Sequence, residues 1–409
     1  MKYRVRYIDP VLFVLLIILA FISCSPEKEL VVNDNSNVYS YRIPEQINDG
    51  WETGSLNSAG MDEAQLVDLM NELDRIGEHK IHSILIVKDG KLVFEEYFPG
   101  EKFKLARYTG ETGFNRSDTH TLCSATKSFT SALLGIAIDK GYLQSVNQKV
   151  FDFFPEYSDL LTITPEKGDL TIEHLLTMTS GLEYDDATYS YFDSRNDMNG
   201  MFESNEPARF LLSKELETIP GTVFKYNNNN TNILGEIIYR ATGQRLDYFS
   251  ENYLFYKLGI TDFEWQVTQA GLVLASGELM LCSRDMAKFG QLFLNTGKWE
   301  NERVISEEWI SISTQKHFDP NNYTDAFRWA DGYGYQWWLW DLNSQGRNFC
   351  AYMASGWGGQ WIIQIPELDI VFVTTGGNYY TAEIIPIKSI IEDYIIPSIL
   401  LEEENMSAR

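Results

Sequence analysis

Cations are in short supply in this chain. It carries 33 Lys and Arg against 58 Asp and Glu, a net charge of −25 at pH 7. Nucleic-acid binding draws its affinity from clustered Lys and Arg, so no nucleic acid is expected as a partner and the acidity reads as a solvated surface. Metal-binding residues are scarcer. The five His are scattered and the four Cys show no Cys-x-x-Cys or Cys–His spacing, which leaves a zinc site without ligands. Internal repeats are missing too. The apolar run VLFVLLIILAFIS (11–23) falls short of the about 20 residues that a membrane-spanning helix needs.

What is present is material for a core. Of 409 residues, 44% are hydrophobic and 14% aromatic, enough for one large domain or two interleaved ones and too apolar for general disorder. The N-terminus reads as a targeting segment, because Lys2, Arg4 and Arg6 precede the apolar run in the layout of a signal peptide over residues 1–23. Cys24 follows at once. The stretch Phe-Ile-Ser-Cys resembles a bacterial lipoprotein box in which Cys24 is lipidated, with an uncleaved signal anchor as the alternative. Cleavage removes three cations and Asp9 and takes the charge from −25 to −27. Residues 24–44 then form a polar tether, and the expected location is exported and membrane-anchored, in the periplasm or at the cell surface. Cys123, Cys282 and Cys350 are expected to be buried free thiols, one disulfide with an odd thiol being the other option.

Leu66, Leu69, Leu73 and Ile76 keep helical spacing and predict a helix over 62–76. SILIVKDGKLVFEEYF (83–98) reads as two strands joined by Asp89-Gly90, a two-residue hairpin turn. From about 129 to 295 the pattern is mostly helical, broken by loops such as 183–207. Strand patterns return at 333–340, 348–354 and 361–375, the last with a tight turn at Pro366 to Asp369, and an apolar helix over about 381–399 closes the chain. Strands on both sides of a helical stretch predict an α/β fold with a mixed sheet assembled from distant segments. The expected division is an α/β domain over 45–135 and 285–400, a mostly helical inserted domain over 136–284, and an active site between them.

One charge is out of place. In LCSATKSFTSALLG (122–135) the residues after Lys127 make a helix meant for burial, with Phe129, Leu133, Ile136 and Ala137 on one stripe and Gly141 as a stop. A helix that starts near Ser124 puts Lys127 one turn on, in contact with the serine hydroxyl. A desolvated lysine has a lowered pKa and can take the hydroxyl proton, while the helix N-terminus stabilises developing negative charge. The spacing alone is weak evidence. Ser-x-x-Lys occurs at Ser25–Lys28, Ser124–Lys127 and Ser313–Lys316, and only the second opens an apolar helix. Downstream, Tyr226 and Asn228 form a Tyr-x-Asn in a loop ahead of another helix. A tyrosine beside a lysine ammonium can shuttle a proton and an amide can hold a carbonyl; an ordinary Asn-rich loop with a half-buried tyrosine is the competing reading. The third segment, SGWGGQW (355–361), has two adjacent glycines that either let a backbone approach a ligand or form a bulge.

Together these three segments resemble the serine hydrolases of the β-lactamase and penicillin-binding-protein superfamily, in particular the class C-like esterases, D-aminopeptidases and D-amino-acid amidases, and 6-aminohexanoate-dimer hydrolases. The resemblance spans roughly 45–395 and includes LTIEHLLTMTSGLEYD (170–185) and SRDMAKFGQLFLNTGKW (283–299). It implies a β-lactamase-like mixed antiparallel sheet flanked by helices. It also implies that Ser124 is the acylated nucleophile, Lys127 its base, Tyr226 the proton carrier to the leaving group, and Asn228 a holder of the substrate amide or of the lysine. The backbone N–H groups of Ser124 and Gln360 would form the oxyanion hole, Trp357, Gly358 and Gly359 would line the substrate site, and no metal or organic cofactor is required. Members that react with penicillin usually carry Lys-Thr-Gly or His-Thr-Gly where this chain has Trp357-Gly358-Gly359. An indole N–H cannot grip a carboxylate as a cation does, so the expected substrate is a small ester or amide without charge. A D,D-peptidase or β-lactamase acting on cell-wall-type substrates, and a non-hydrolytic sensor that keeps the fold, remain the alternatives.

Overall fold

The computed structural model describes residues 39–407 apart from 187, 190–192, 194 and 382–384. The signal run, Cys24 and the tether as far as residue 38 lie outside the described residues. Among the described residues no helix is long and apolar enough to cross a membrane.

Asp89 and Gly90 both take positive φ, 51° and 75°, which turns Ile81–Lys88 (β1) back onto Lys91–Tyr97 (β2) with Lys88 opposite Lys91. β1 then pairs on its other side with a strand from the far end of the chain. Trp338–Ser344 (β3), Arg347–Gly356 (β4), Gln360–Ile365 (β5) and Ile370–Gly376 (β6) form an antiparallel meander, and β6 lies against β1 with Phe372 opposite Ile86. The eight-stranded sheet runs Glu52–Thr53, β2, β1, β6, β5, β4, β3, Gly332–Tyr333, and only the Glu52 edge pairs in parallel. The fold is therefore α/β with a mixed sheet joined from two distant stretches. The turn between β5 and β6 falls at Pro366–Asp369, where Asp369 has φ 48°.

Glu63–Ile76 (α1) starts where the Asp62 side chain accepts the Ala64 N–H and stops at Gly77, with Leu66, Leu69, Met70 and Leu73 buried. Thr126–Asp139 (α2) is buried on all sides from Thr126 to Ala137, so the predicted stripe belongs to a central helix. Asn228–Thr242 (α3) packs on α2, and Ser283–Leu294 (α4) covers β5 and β6 and stacks Phe289 on Phe129 at 3.7 Å. A second, three-stranded sheet joins Thr119–Thr121 to Leu279–Cys282 and Glu264–Trp265, tying the segment before α2 to the one before α4.

Three expectations need correction. The 183–207 loop holds a helix at Asp197–Glu203, because Asn196 caps it by accepting from the N–H groups of Met198 and Asn199. The final helix begins at Ile387 and not near 381, since Pro386 lacks an N–H and keeps the residue before it out of helical conformation. From there it runs on to Ser407 through one wide turn at Ile391–Ile395. The three described cysteines are free, yet only Cys123 is buried; Cys282 is half-buried and Cys350 is exposed on β4.

Candidate active site

Ser124 sits in a single tight turn, Cys123–Ala125, that leads into α2, so the regular helix starts two residues later than its predicted start. The cause is Cys123, which has φ 47°, a left-handed value in a residue with a side chain. Lys127 follows on the first turn, 2% exposed, with Nζ 3.1 Å from Ser124 Oγ and donating to Ser276 O at 2.7 Å. Burial pushes its pKa down to about 7, against the carboxylates of Asp186 and Glu278, which favour the ammonium.

The second segment arrives through the cap of α3. The Asn227 side chain accepts the Asn229 N–H and fixes the loop that carries Tyr226, whose ring centre lies 4.9 Å from Lys127 Nζ. The other face of that ring stacks on Trp338 at 5.7 Å. Asn228 is half-buried next to it, and its amide nitrogen donates to Tyr184 Oη at 3.0 Å and to Asp186 Oδ2 at 2.7 Å. The Asn228 amide N–H groups are therefore directed at Asp186.

The third segment closes the site from the sheet. β4 ends at Gly356, and a Cβ there would lie 2.0 Å from Leu122 O and 3.1 Å from Ala125 N, so only glycine lets the strand end press against the serine turn. Gly358 and Gly359, each at φ 91°, make the turn into β5. The Gln360 side chain is buried and its Nε2 donates to Gly376 O at 2.8 Å, which clamps β5 to the end of β6. Trp357 projects outward, 41% exposed, edge-on to Tyr379 and Tyr380. Beside it opens a cavity of about 670 Å³ walled by Trp329, Trp340, Trp357 and Trp361, with Arg328 and Lys388 at its margin. Aromatic contacts run without a break from Tyr226 through Trp338 and Trp329 to Trp361. Tyr333, Tyr335 and Trp337 are core.

Of the other Ser-x-x-Lys occurrences, Ser25 and Lys28 lie outside the described residues. Ser313 Oγ donates back to Ile310 O, while Lys316 turns to Asp319 at 3.0 Å. Two acidic residues that no motif marks, Asp186 and Glu278, act on Lys127. Glu278 had a readable sign, being the sole charged residue between Glu264 and Arg284, just as Lys127 is the sole one between Asp118 and Asp139.

A family model described as Beta-lactamase matches residues 71–376. A 6-aminohexanoate-dimer hydrolase of Paenarthrobacter ureafaciens is 25% identical over 289 residues, 67% of this chain and 68% of that protein. A family VIII carboxylesterase shares the fold with a TM-score of 0.62 at 17% identity, over 81% of this chain and 96% of its own. A penicillin-binding protein homologue from Caulobacter crescentus does so with a TM-score of 0.61 at 15% identity, again over 81% and 96%. With a serine, a buried lysine and a tyrosine brought together on this scaffold, the chain belongs to the β-lactamase family as one of its serine hydrolases.

Proposed function

We propose that the protein hydrolyses small uncharged esters or amides through an acyl-enzyme on Ser124. Lys127 takes the hydroxyl proton as Ser124 Oγ attacks the substrate carbonyl, Tyr226 passes a proton to the leaving group, and water then releases the acyl group. The observation that carries this reading is a buried lysine amine 3.1 Å from Ser124 Oγ with its pKa pushed down to about 7. At neutral pH such a lysine is partly an unprotonated base, whereas a solvated one is an ammonium. The oxyanion is met by the N–H groups of Ser124 and Trp357, because Gly356 is where the third segment touches the serine turn. The contact of Gly356 with the serine turn supports Trp357 as the second donor, beside the Gln360 N–H that the resemblance implies, Gln360 lying opposite Gly356 across the turn.

Two features support an uncharged, partly apolar substrate. Four tryptophans wall the neighbouring cavity, and Trp357 stands where a cation would pair with a carboxylate. Arg347 is at the opposite end of β4 from Gly356, so among the described residues Arg328 and Lys388 are the cations at the cavity that could serve an anionic substrate. Relatives named as a 6-aminohexanoate-dimer hydrolase and a carboxylesterase accord with amide or ester chemistry. A fluorophosphonate probe is expected to label the protein and to fail on Ser124→Ala; labelling that survives sinks the assignment. In the same preparations, kcat/KM for a short-chain p-nitrophenyl ester is expected to exceed that for a chromogenic cephalosporin by orders of magnitude. The opposite order overturns the substrate reading and directs attention to Arg328 and Lys388.

A further inference from the structure

Glu278 is bracketed by contacts to the serine turn. Ser276 O accepts from Lys127 Nζ at 2.7 Å, Leu279 N–H donates to Thr126 Oγ1 at 3.4 Å, and Leu279 O accepts from Leu122 N–H at 2.8 Å. Between these contacts Glu278 is held at φ 65°, a conformation that favours glycine. One of its carboxyl oxygens, Oε2, is fully buried and has no hydrogen-bond partner. A carboxylate that has lost its water and gained no donor is held there at a cost, and a nearby cation is the remaining means of stabilising it. That cation is Lys127, whose charge acts on Glu278 against its burial.

We propose that Glu278 is a positioning residue that acts through Lys127 and sets the pH range over which the lysine serves as base. The inference rests on the acylation reading above. As the Ser124 O–H bond breaks and the Oγ–carbonyl bond forms, the proton goes to Lys127 Nζ and the Glu278 carboxylate stabilises the new ammonium. When the leaving group departs with that proton, relayed through Tyr226, Lys127 is neutral again and Glu278 has neither gained nor lost a proton.

The other groups around Lys127 do not fill this role. Asp186, from the loop before the Asp197 helix, acts more strongly on the lysine, but its carboxylate is already engaged by the Asn228 amide at 2.7 Å and by Tyr184 Oη at 2.7 Å. Cys123, on the turn itself, keeps its proton, since burial pushes its thiol up to about 12. Tyr226 presents its ring face, and Ser276 contributes a carbonyl. Tyr379, from beyond β6, faces Cys123 at 3.9 Å and feels Glu278 only after that thiol. Burial pushes Glu278 up to about 7, into the range where Lys127 itself titrates, so each charge state bears on the other's titration.

The test is the pH dependence of the fluorophosphonate labelling rate in three variants of the purified protein. Glu278→Gln removes the charge and keeps the shape; Glu278→Gly removes it and suits the backbone; Glu278→Asp keeps it. Losing a neighbouring carboxylate lowers the lysine further, so the acidic limb is expected to move to lower pH by on the order of one unit in the first two variants and to return toward the parent in the third. The thermal midpoint of Glu278→Gly is expected to stay level or rise, which separates this effect from damage to the fold. An acidic limb that stays put or moves to higher pH in both Gln and Gly variants, or labelling lost at every pH in both, overturns the proposal. Ser124→Ala is measured alongside. If it still labels, the acylation reading has failed; if it is silent while the limbs coincide, only the role of Glu278 has.

Discussion

Ser124–Lys127 lies at the head of a helix buried on all sides, and Ser313–Lys316 at the tail of a short amphipathic one, Glu307–Ser313. Both serines are held at a helix end, and both are roofed by a glycine of the sheet region, Gly356 over Leu122 O and Gly334 over Ser313 O. At the first place the lysine side chain is 2% exposed and reaches back to its serine. At the second it is 49% exposed and pairs with Asp319, while the serine hydroxyl is spent on Ile310 O. A helix head also offers unpaired N–H groups and the positive end of the dipole, and a helix tail offers carbonyls. Spacing places the two side chains near each other; removal of water from the amine is what lowers the pKa of one of them.

The largest expected break in that contrast is Lys127→Ala, which should slow turnover on the order of 10²-fold or more, while Lys316→Ala leaves it unchanged. Matched losses in ester hydrolysis would mean that burial is not what distinguishes the two sites. The same burial predicts an opposite effect on stability. Lys127 has a folded pKa of about 7, below its unfolded value, so its charge is penalised in the native state at and below that pH, and the penalty fades as pH rises toward the ordinary lysine range. The shift corresponds to roughly 4 kcal/mol, part of which the lost donor to Ser276 O offsets on substitution. Lys127→Met should therefore stabilise the protein by about 2 kcal/mol near pH 7, with the gain shrinking toward pH 10, and Lys316→Met should change stability by less than about 0.5 kcal/mol. Denaturant melts at pH 7 and pH 10 decide it; a gain that grows with pH has the wrong sign.

The smallest effect concerns the two glycines. A Cβ at Gly356 would sit 2.0 Å from Leu122 O and must push the serine turn, whereas one at Gly334 would sit 2.3 Å from Ser313 O and push a turn with no chemistry. Gly356→Ala is expected to lower the labelling rate about tenfold, in line with the cost of misplacing a reacting group. Gly334→Ala should lower the thermal midpoint and leave the labelling rate alone. Similar rate losses in both would show that the sheet transmits strain from one end to the other.

Local signals are legible in the sequence. Asp89-Gly90 specifies a turn whatever surrounds it, Asp62 and Gly77 bound a helix, and Ser124 with Lys127 needs only the helical repeat to meet. What escapes such reading depends on contacts between distant segments. Glu278 shows in the sequence only as a lone charge between Glu264 and Arg284, and its place at the serine turn shows only when Ser276 and Leu279 are seen to clasp that turn. Asn228 reads as a free amide until the loop holding Asp186 folds over it. That Gly356 presses on Leu122 O, with Gln360 opposite it across the turn, shows only once β4 and β5 are seen beside the serine turn. The helix after Asn196 hides for another reason: its surroundings are rich in Ser, Asp and Asn, and a cap residue there resembles a loop residue.

The pairing of β1 with β6 also fixes an order of events in folding. Ser83 and Thr375 share a hydroxyl contact of 2.6 Å at a sequence separation of 292. Contacts of that span form late, because the loop entropy must be met before they contribute anything. On a growing chain β1 stays an open edge until nearly the whole polypeptide has emerged, while Gly356 is not yet available to press on the serine turn. On the acylation reading, the site is therefore complete only when β4 and the turn after it have formed. A chain released short of β4 would lack the Gly356 contact with the serine turn and hold a bare strand edge prone to pairing with other chains.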